Sequence, residues 1–354
     1  RRRKGVYGPP AGKKGIVFVD DLNMPEIEAW GAQPPIELLR NFCDKNSTPG
    51  GWYDLEEMTW KTIIDCGLLA AMGPPGGGRN HLTPRFVRHL NLVCFTNFDD
   101  NTLKRIFDTI TDWYFTKNGL KFDESVQKKA ASVVNATLDT YRASMLNLLP
   151  TPLKSHYTFN LRDFSRVVGG VLTVKPHAGF NDEALVRLWV HESMRVFGDR
   201  LIDDDDRNWF LGHCKEVTIK SYGKKFEQVF AGLVPEGSDA SYEISLDDTR
   251  RLIWGNYMNP EVSPESRSYE EVTDVPQLTE VMEAYLTEFN ATSRKQMNLV
   301  MFLFAIEHVS RISRILTNAG GNALLVGVGG SGRQSVARLA ASICDFEEIG
   351  RAHV

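Results

Sequence analysis

The sequence predicts an α/β domain, an all-helical subdomain after it, and the beginning of a second α/β domain. Two short apolar runs, at 15–19 and 323–326, are typical of buried parallel strands. Between about residues 119 and 224, apolar residues recur at helical spacing instead. At 354 residues, the chain is long enough for two or three domains.

A glycine-rich turn follows the second apolar run. It comprises Gly327, Val328, Gly329, Gly330, Ser331, Gly332, Arg333, Gln334 and Ser335. We expect Ala323–Val326 to form a buried strand before it and Val336–Ala341 to form a helix after it. Glycines let backbone N–H groups surround phosphate oxygens, and a helix N-terminus adds positive potential. The segment therefore predicts a phosphate-binding loop (P-loop), the alternative being a glycine turn without a ligand.

Two positions of this turn differ from the usual P-loop motif. Arg333 stands where lysine is usual, and keeps the charge on a bulkier, planar group. Gln334 stands where a magnesium-binding hydroxyl is usual, and Ser335 lies one place later. We expect the loop to bind a nucleotide and to be poorly suited to hydrolysing it. Because a P-loop normally opens a domain, and this one lies about 20 residues from the last residue, we expect an internal piece of a larger protein.

A pair of carboxylates follows the first apolar run, in Gly15–Asp21. A buried parallel strand that delivers acids at its carboxyl end is the Walker B arrangement of P-loop ATPases. Asp20 would then hold Mg²⁺ through water, and Asp21 would orient an attacking water as general base. The alternative is an aspartate that only caps the turn after the strand.

Two further segments support the first interpretation. Thr62–Ala71 is predicted to be another buried strand, and Gly73 follows it where P-loop ATPases often place a polar residue that senses the γ-phosphate. Arg85 precedes a predicted third strand, Leu90–Phe95, where an arginine can reach the phosphate of a neighbouring subunit. The alternative is that Arg85 and Arg88 make surface salt bridges.

The helical region contains two acidic segments that resemble metal sites. His191 and Glu192 do not form a zinc-protease motif, because position 195 is arginine rather than histidine, so we expect a pair on a helix surface. Asp203–Asp206 lacks the glycine and glutamate of a calcium loop and is expected to cap a helix. Two more helices are predicted at Leu278–Phe289 and about Met297–Thr317.

The composition limits the classes of partner. The net charge is −4, with 42% hydrophobic and 24% charged residues, which indicates no dominant field for nucleic acid or membranes. No apolar run approaches the ~18 residues of a membrane span. Five dispersed cysteines favour reduced thiols in an intracellular protein over a disulfide framework.

Several long blocks resemble one family, the dynein heavy chain, and the resemblance covers almost the whole chain. The blocks are VFVDDLNMPEIEAWGAQPPIELLRNF (17–42), GGWYD (50–54), AAMGPPGGGRNHLTPRFVRH (70–89), HYTFNLRDFSRVVGGVL (156–172), LWVHESMRVFGDRL (188–201) and ALLVGVGGSGRQS (323–335). The forms of Asp20–Pro25 and Gln33–Leu39 resemble axonemal rather than cytoplasmic dyneins.

The resemblance implies a place within a ring of six AAA+ modules. Residues 1–118 would be part of the three-layer α/β subdomain of the third module, 119–245 its helical lid, and 246–347 the start of the fourth module with its P-loop. Residues 348–354 resemble no dynein segment and are expected to be a non-native tail. Asp20 and Asp21 would be Walker B of the third module, Arg85 its finger towards the second, and Arg162 the lid sensor.

The resemblance also implies an activity. The whole protein would be an ATPase that uses ATP/ADP and Mg²⁺ to move towards the minus end of microtubules in the cytoplasm, cytoskeleton and ciliary or flagellar axoneme. Its partners would be microtubules, intermediate and light chains, and neighbouring modules of the same chain, with no nucleic acid and no membrane. The main hydrolytic site, and the coiled-coil stalk with its microtubule-binding end, would lie outside this chain, so the isolated fragment would be inactive.

Two alternatives remain at this point. One is another AAA+ ring ATPase, either a remodeller or a nucleic-acid motor, which would carry a complete P-loop ahead of Walker B. The other is a non-hydrolysing scaffold, which Gly73, Arg333 and Gln334 favour locally.

Overall fold

A computed structural model gives the fold of residues 1–44, 50–76, 78–235, 237–239, 242–263, 266–293, 296–348 and 350. These form two compact units, unit 1 over residues 1–97 and unit 2 over residues 98–354. Most of the predicted tail, at 349 and 351–354, lies outside the described residues. Among the described residues, no helix combines the length and apolar character needed to cross a membrane.

The described part of unit 1 contains two small sheets and two helices. The strands are β1 (Val6–Tyr7), β2 (Gly15–Val19), β3 (Gly51–Tyr53), β4 (Trp60–Ile63) and β5 (Cys66–Ala70), and the helices are α1 (Pro34–Cys43) and α2 (Pro84–Val87). One sheet has the order β1-β4-β3, with β1 parallel and β3 antiparallel to β4. The other pairs β2 with β5 in parallel, in continuous register from Gly15–Cys66 to Val19–Ala70.

The predicted strand Thr62–Ala71 is wrong as a single element. It is divided between β4 and β5, which belong to different sheets. Asp65 lies between them with φ of 53°, in the left-handed region that aspartate tolerates better than most residues. The chain turns at this residue, so β4 ends and β5 begins although the sequence is apolar on both sides of the turn.

Two predictions about burial in unit 1 are also wrong. Leu90–Phe95 is not a strand, and Phe95 is 92% exposed. β2 is a strand, but Ile16 and Phe18 are largely exposed. Parallel strands become buried when neighbours flank them and helices cover both faces. Among the described residues, β2 pairs only with β5, and 90–95 pairs with no strand.

Unit 2 is mainly helical. Its helices are α3 (Asp100–Asp112), α4 (Glu124–Asn147), α5 (Leu161–Val171), α6 (Asp182–Val196), α7 (Asp204–Val217), α8 (Phe226–Val229), α9 (Leu246–Thr249), α10 (Val275–Thr292), α11 (Leu303–Thr317) and α12 (Arg333–Ile343). Two strands, β6 (Ile253–Gly255) and β7 (Glu270–Val272), form an antiparallel pair between α9 and α10. The helical prediction for 119–224 is confirmed.

The larger core of unit 2 lies among α4, α5, α6 and α7. Trp189 of α6 is fully buried there, and its Nε1–H donates to Thr137 Oγ1 of α4 over 3.0 Å. Phe164 and Val167 of α5 pack in the same cluster. A buried indole needs an acceptor for its N–H, so this hydrogen bond fixes the facing of α6 on α4.

A second core joins β6 and β7 to α10, α11 and α12. Met297 and Met301 belong to this core, although the helix predicted from about Met297 begins only at Leu303. The predicted strand Ala323–Val326 is not formed, and Leu324 and Val326 are 90% and 86% exposed. No described strand pairs with this segment, so its apolar side chains have no sheet to enter.

The prediction that His191 and Glu192 form a surface pair is wrong, because both side chains are buried on α6. Glu192 is 0% exposed, and its Oε1 accepts hydrogen bonds from Arg314 Nε of α11 (3.0 Å) and from the Tyr269 hydroxyl (2.9 Å). Arg314 Nη2 also donates to Glu192 Oε2. The sequence motif gave no sign of a partner 122 residues away.

Burial and nearby charges determine the protonation of Arg314, which pairs with Glu192, and of the neighbouring His191. Burial disfavours the charged form of Arg314, yet the adjacent Glu192 carboxylate outweighs burial and raises the pKa of Arg314. Burial lowers the pKa of His191 well below its usual range, and Arg195 and Arg314 lower it further. His191 is therefore neutral at pH 7, while Arg314 stays charged against Glu192.

Two adjacent glycines of α5 test how tightly this ion pair is enclosed. A Cβ at Gly170 would lie 1.7 Å from Glu192 Oε2, whereas a Cβ at Gly169 would meet nothing within 4 Å. We expect Gly170→Ala to lower the free energy of unfolding by about 1–3 kcal/mol through overpacking. Gly169→Ala, the matched control, is expected to raise it by about 0.5–1 kcal/mol through helix propensity. Urea unfolding measures both, and equal shifts would contradict the packing.

Candidate nucleotide site

The two predicted carboxylates lie directly after β2, at the edge of the sheet where β5 also ends. Asp20 is exposed, and its Oδ1 accepts a hydrogen bond from the Asp21 N–H over 3.0 Å. Asp21 has φ of 48°, so the chain turns sharply at this residue. In parallel strands the carboxyl ends meet at one edge, and the loops after β2 and β5 are therefore neighbours.

The residues after the carboxylates anchor them to the unit 1 core. Leu22 is buried against Ile36 of α1 and Phe86 of α2. Its N–H donates to the Ala71 carbonyl over 3.0 Å, which continues the β2–β5 pairing beyond the strands. Asp20 and Asp21 are thus held between a paired strand and a buried leucine.

A buried asparagine ties this turn to the loop after β5. Asn23 is 0% exposed. Its side-chain Nδ2 donates to the Gly73 carbonyl, and its backbone carbonyl accepts from the Asn80 N–H, each over 2.9 Å. Asn80 Nδ2 also donates to the Pro25 carbonyl over 2.9 Å. These bonds position the glycine-rich segment before Arg79 beside the carboxylates.

Arg79 makes the closest charged contact with the predicted site. Its Nη2 lies 2.9 Å from Asp21 Oδ1, and both side chains are partly exposed. Sequence reasoning missed Arg79 and Asn23 as site residues. Both occur inside blocks that carry the family resemblance, but only the folded chain reveals which groups they contact.

The donor set at this edge fits a magnesium ion held mainly by water and phosphate. Mg²⁺ takes one or two carboxylates and keeps several waters, rather than using an all-protein cage. Asp20 offers an exposed carboxylate at the edge, and the described residues contain no cluster of three or more His, Cys, Asp or Glu side chains suited to a metal. The exposed Asp20 carboxylate fits an ion that arrives with a nucleotide.

Arg85 lies on the short helix α2, with an exposed side chain. The next residue, Phe86, is fully buried and fixes α2 against the core of unit 1. Among the described residues, the Arg85 side chain has no hydrogen-bond or salt-bridge partner, and it does not contact Asp20 or Asp21. The structure therefore presents Arg85 outward and does not bring it together with the carboxylates of its own unit.

Arg162 lies in unit 2, in the first turn of α5. Asn160 caps this helix: its Oδ1 accepts from the Arg162 N–H over 2.9 Å, and Asp163 Oδ2 accepts from the Asn160 N–H over 3.0 Å. Asp163 is buried and pairs with Arg200 of the segment after α6. The Arg162 side chain is exposed beside this rigid cap.

The predicted P-loop forms a turn at the N-terminus of α12, in unit 2. Gly330 and Gly332 adopt φ of 79° and 74°, which glycine adopts without strain. Arg333 folds back over the turn, and its Nη2 donates to the Val328 carbonyl over 3.1 Å. A Cβ at Gly327 would lie 3.5 Å from Arg333 Cδ, an ordinary van der Waals contact, so this approach does not by itself require glycine. Among the described residues, Arg333 has no carboxylate partner.

Three family models match successive parts of the chain. Residues 1–98 match a model described as the P-loop containing dynein motor region, 115–207 the dynein heavy chain ATPase lid domain, and 297–350 the P-loop containing dynein motor region D4. The lid match covers α4, α5 and α6, and the last match contains α11, the glycine turn and α12.

Curated relatives match over 98% of this chain. It is 49% identical to dynein axonemal heavy chain 12 of Rattus norvegicus, 51% identical to dynein axonemal heavy chain 3 of Homo sapiens, and 41% identical to dynein axonemal heavy chain 1 of Homo sapiens. The chain spans 11%, 8% and 8% of the lengths of these relatives. On these matches, the chain belongs to the dynein heavy chain family and, within it, to the axonemal type.

Proposed function

We propose that this chain is part of an ATP-driven, minus-end-directed microtubule motor of the ciliary or flagellar axoneme. One observation carries the chemical part of the proposal: the parallel pairing of β2 with β5 delivers Asp20 and Asp21 to one sheet edge. The relatives, named as axonemal dynein heavy chains, support the cellular part. Microtubules, intermediate and light chains, and the neighbouring modules would be its partners in the cytoskeleton.

In this proposal the two carboxylates have different tasks. Asp20, the more exposed, would hold one of the waters of the ion that accompanies ATP. When bound, Mg²⁺ would neutralise charge on the phosphates. Asp21 would accept a hydrogen bond from the attacking water and orient it in line with the γ-phosphate. Its backbone is anchored by the buried Leu22 that follows it.

Two arginines would complete the contacts from other surfaces. Arg85 points outward on a rigid turn and would reach the nucleotide of the preceding, second module. Arg162, beside the capped N-terminus of α5, would sense the nucleotide of the third module from its lid. Both are exposed cations without a competing carboxylate among the described residues, which leaves them free to meet phosphate.

The glycine turn Gly327–Ser335 would hold the phosphates of a second nucleotide, ATP or ADP, in the fourth module. Its left-handed glycines and the N-terminus of α12 supply N–H groups at the turn. Arg333 would leave the Val328 carbonyl and pair with phosphate, because a charged acceptor binds guanidinium more strongly than a neutral one.

A non-hydrolysing scaffold is the second candidate, and the self-contact of Arg333 favours it. In that case the turn would hold its closed form with nucleotide present. Binding without turnover by the whole protein at this site would support the scaffold.

Asp21→Asn in the full motor tests the carboxylate. We expect hydrolysis at the third module to slow by on the order of 10²–10⁴-fold, because an amide does not accept the water proton, and a nucleotide-bound ring to accumulate. Single-turnover hydrolysis and microtubule gliding measure this.

Asp65→Asn is the matched control for that substitution. Asp65 also has a left-handed φ, of 53°, and also pairs with an arginine, Arg2, but it precedes β5 at the opposite end of the sheet. Its substitution should leave turnover intact. Unchanged turnover and gliding in Asp21→Asn would reject the role of Asp21.

Arg85→Ala tests the outward arginine. We expect weaker retention or slower turnover of the nucleotide in the second module, with the nucleotide of the third module unaffected, since Arg85 does not contact Asp20 or Asp21. Arg88→Ala is the control, because among the described residues the Arg88 side chain hydrogen-bonds only to its neighbour His89. The nucleotide occupancy of each module, read from the density map of the whole motor, compares the two variants. If the second module is occupied equally in Arg85→Ala and Arg88→Ala, the finger role is contradicted.

A further inference from the structure

Arg79 ends a tight turn that directs its side chain to the predicted general base. The turn is closed by two backbone hydrogen bonds between Gly76 and Arg79, of 2.9 and 3.2 Å. Gly76 has φ of 124° and Gly78 φ of 86°, conformations that strongly favour glycine. Asn23 anchors this turn from both sides, through Gly73 and Asn80. The contact between Arg79 and Asp21 is therefore built into the loop rather than an accident of a long side chain.

Gly73 provides the space that the Arg79 guanidinium fills. A Cβ at Gly73 would lie 2.1 Å from Arg79 Nη1 and 3.0 Å from its Cζ. A side chain at position 73 and the guanidinium in its present place therefore exclude each other. P-loop ATPases often place a short polar side chain after this strand. In this chain that position is Gly73, and the guanidinium of Arg79 occupies the space instead.

The ion pair that holds Arg79 is weak enough to exchange. Both side chains are partly exposed, at 39% for Arg79 and 47% for Asp21, and exposed pairs are worth about 0.2–1 kcal/mol. A triphosphate carries more negative charge than one carboxylate and offers oxygens that match the planar fork of arginine. A γ-phosphate beside Asp21 would therefore compete successfully for the guanidinium.

We propose that Arg79 is the residue of this site that distinguishes nucleoside triphosphate from diphosphate. Without a γ-phosphate it pairs with Asp21 Oδ1 and competes with water for that oxygen. When ATP binds, the guanidinium moves to the γ-phosphate, and Asp21 is released to orient the attacking water. The inference rests on the proposed role of Asp21, and it assigns to Arg79 the sensing role that Gly73 lacks the side chain to perform.

The test uses full-length heavy chain in which Asp21→Asn blocks turnover at this site. Protein equilibrated with ATP or ADP is desalted rapidly, and retained nucleotide per chain is measured by chromatography after acid quench. Asp21→Asn should retain one more ATP per chain than the wild type. Adding Arg79→Ala should weaken retention of that ATP on the order of ten- to a hundredfold, the loss of charge-assisted hydrogen bonds, and change ADP retention by less than about threefold.

A third substitution separates sensing from mere loop structure. Gly73→Asn in the Arg79→Ala background places a short polar group in the space that the guanidinium vacates, and should restore ATP retention. Gly73→Asn with Arg79 present should instead weaken it, because the two side chains collide. Arg88→Ala, an exposed arginine of the same unit, is the control and should change neither nucleotide.

The outcomes distinguish this inference from the proposed function. If Asp21→Asn retains no additional ATP, the role of Asp21 fails and the inference falls with it. If Asp21→Asn retains ATP and Arg79→Ala changes nothing, the sensor role is overturned while the proposed function stands. Equal losses of ATP and ADP in Arg79→Ala, without rescue by Gly73→Asn, would make Arg79 a structural residue and also overturn the inference.

Discussion

The parallel pairing of β2 with β5 is the constraint on which the candidate site depends. Its register continues through the Leu22–Ala71 hydrogen bond, so Asp20, Asp21 and the loop after β5 share one edge. Asn23, buried in the same turn, then fixes the loop that carries Arg79. A shift of one residue would reverse the facing of every side chain in the strand. The chemistry proposed for this edge follows from backbone geometry before any catalytic side chain is considered.

In unit 2, a buried ion pair holds together two segments that are far apart along the chain. Glu192 on α6 and Arg314 on α11 join the segment matched as dynein lid to the segment matched as motor region D4. Removing one partner from such a pair costs about 3–5 kcal/mol, because the other charge stays buried. Gly170 and Tyr269 enclose the same carboxylate, so α5, α6 and α11 are closely packed around this pair.

The sequence predicts the elements that neighbouring residues determine, and misses the features that depend on contacts with residues distant along the chain. The helices of the lid, the α12 turn and the acids after β2 follow from periodicity and motif order, which act within a few residues. The break at Asp65 is a single left-handed residue inside an apolar run, which periodicity does not detect. Ala323–Val326 has strand character but no described partner strand. The burial of Glu192 and the reach of Arg79 depend on residues far along the chain.

The most direct test of the account is a cryo-electron microscopy structure of the full-length heavy chain with Mg²⁺ and a slowly hydrolysed ATP analogue. The central claim is that the edge at the end of β2 handles a nucleotide. It predicts a magnesium-bound water within hydrogen-bonding distance of the Asp20 carboxylate, and Asp21 facing the γ-phosphate. A nucleotide bound elsewhere in this module, with both aspartates in bulk solvent, would contradict it.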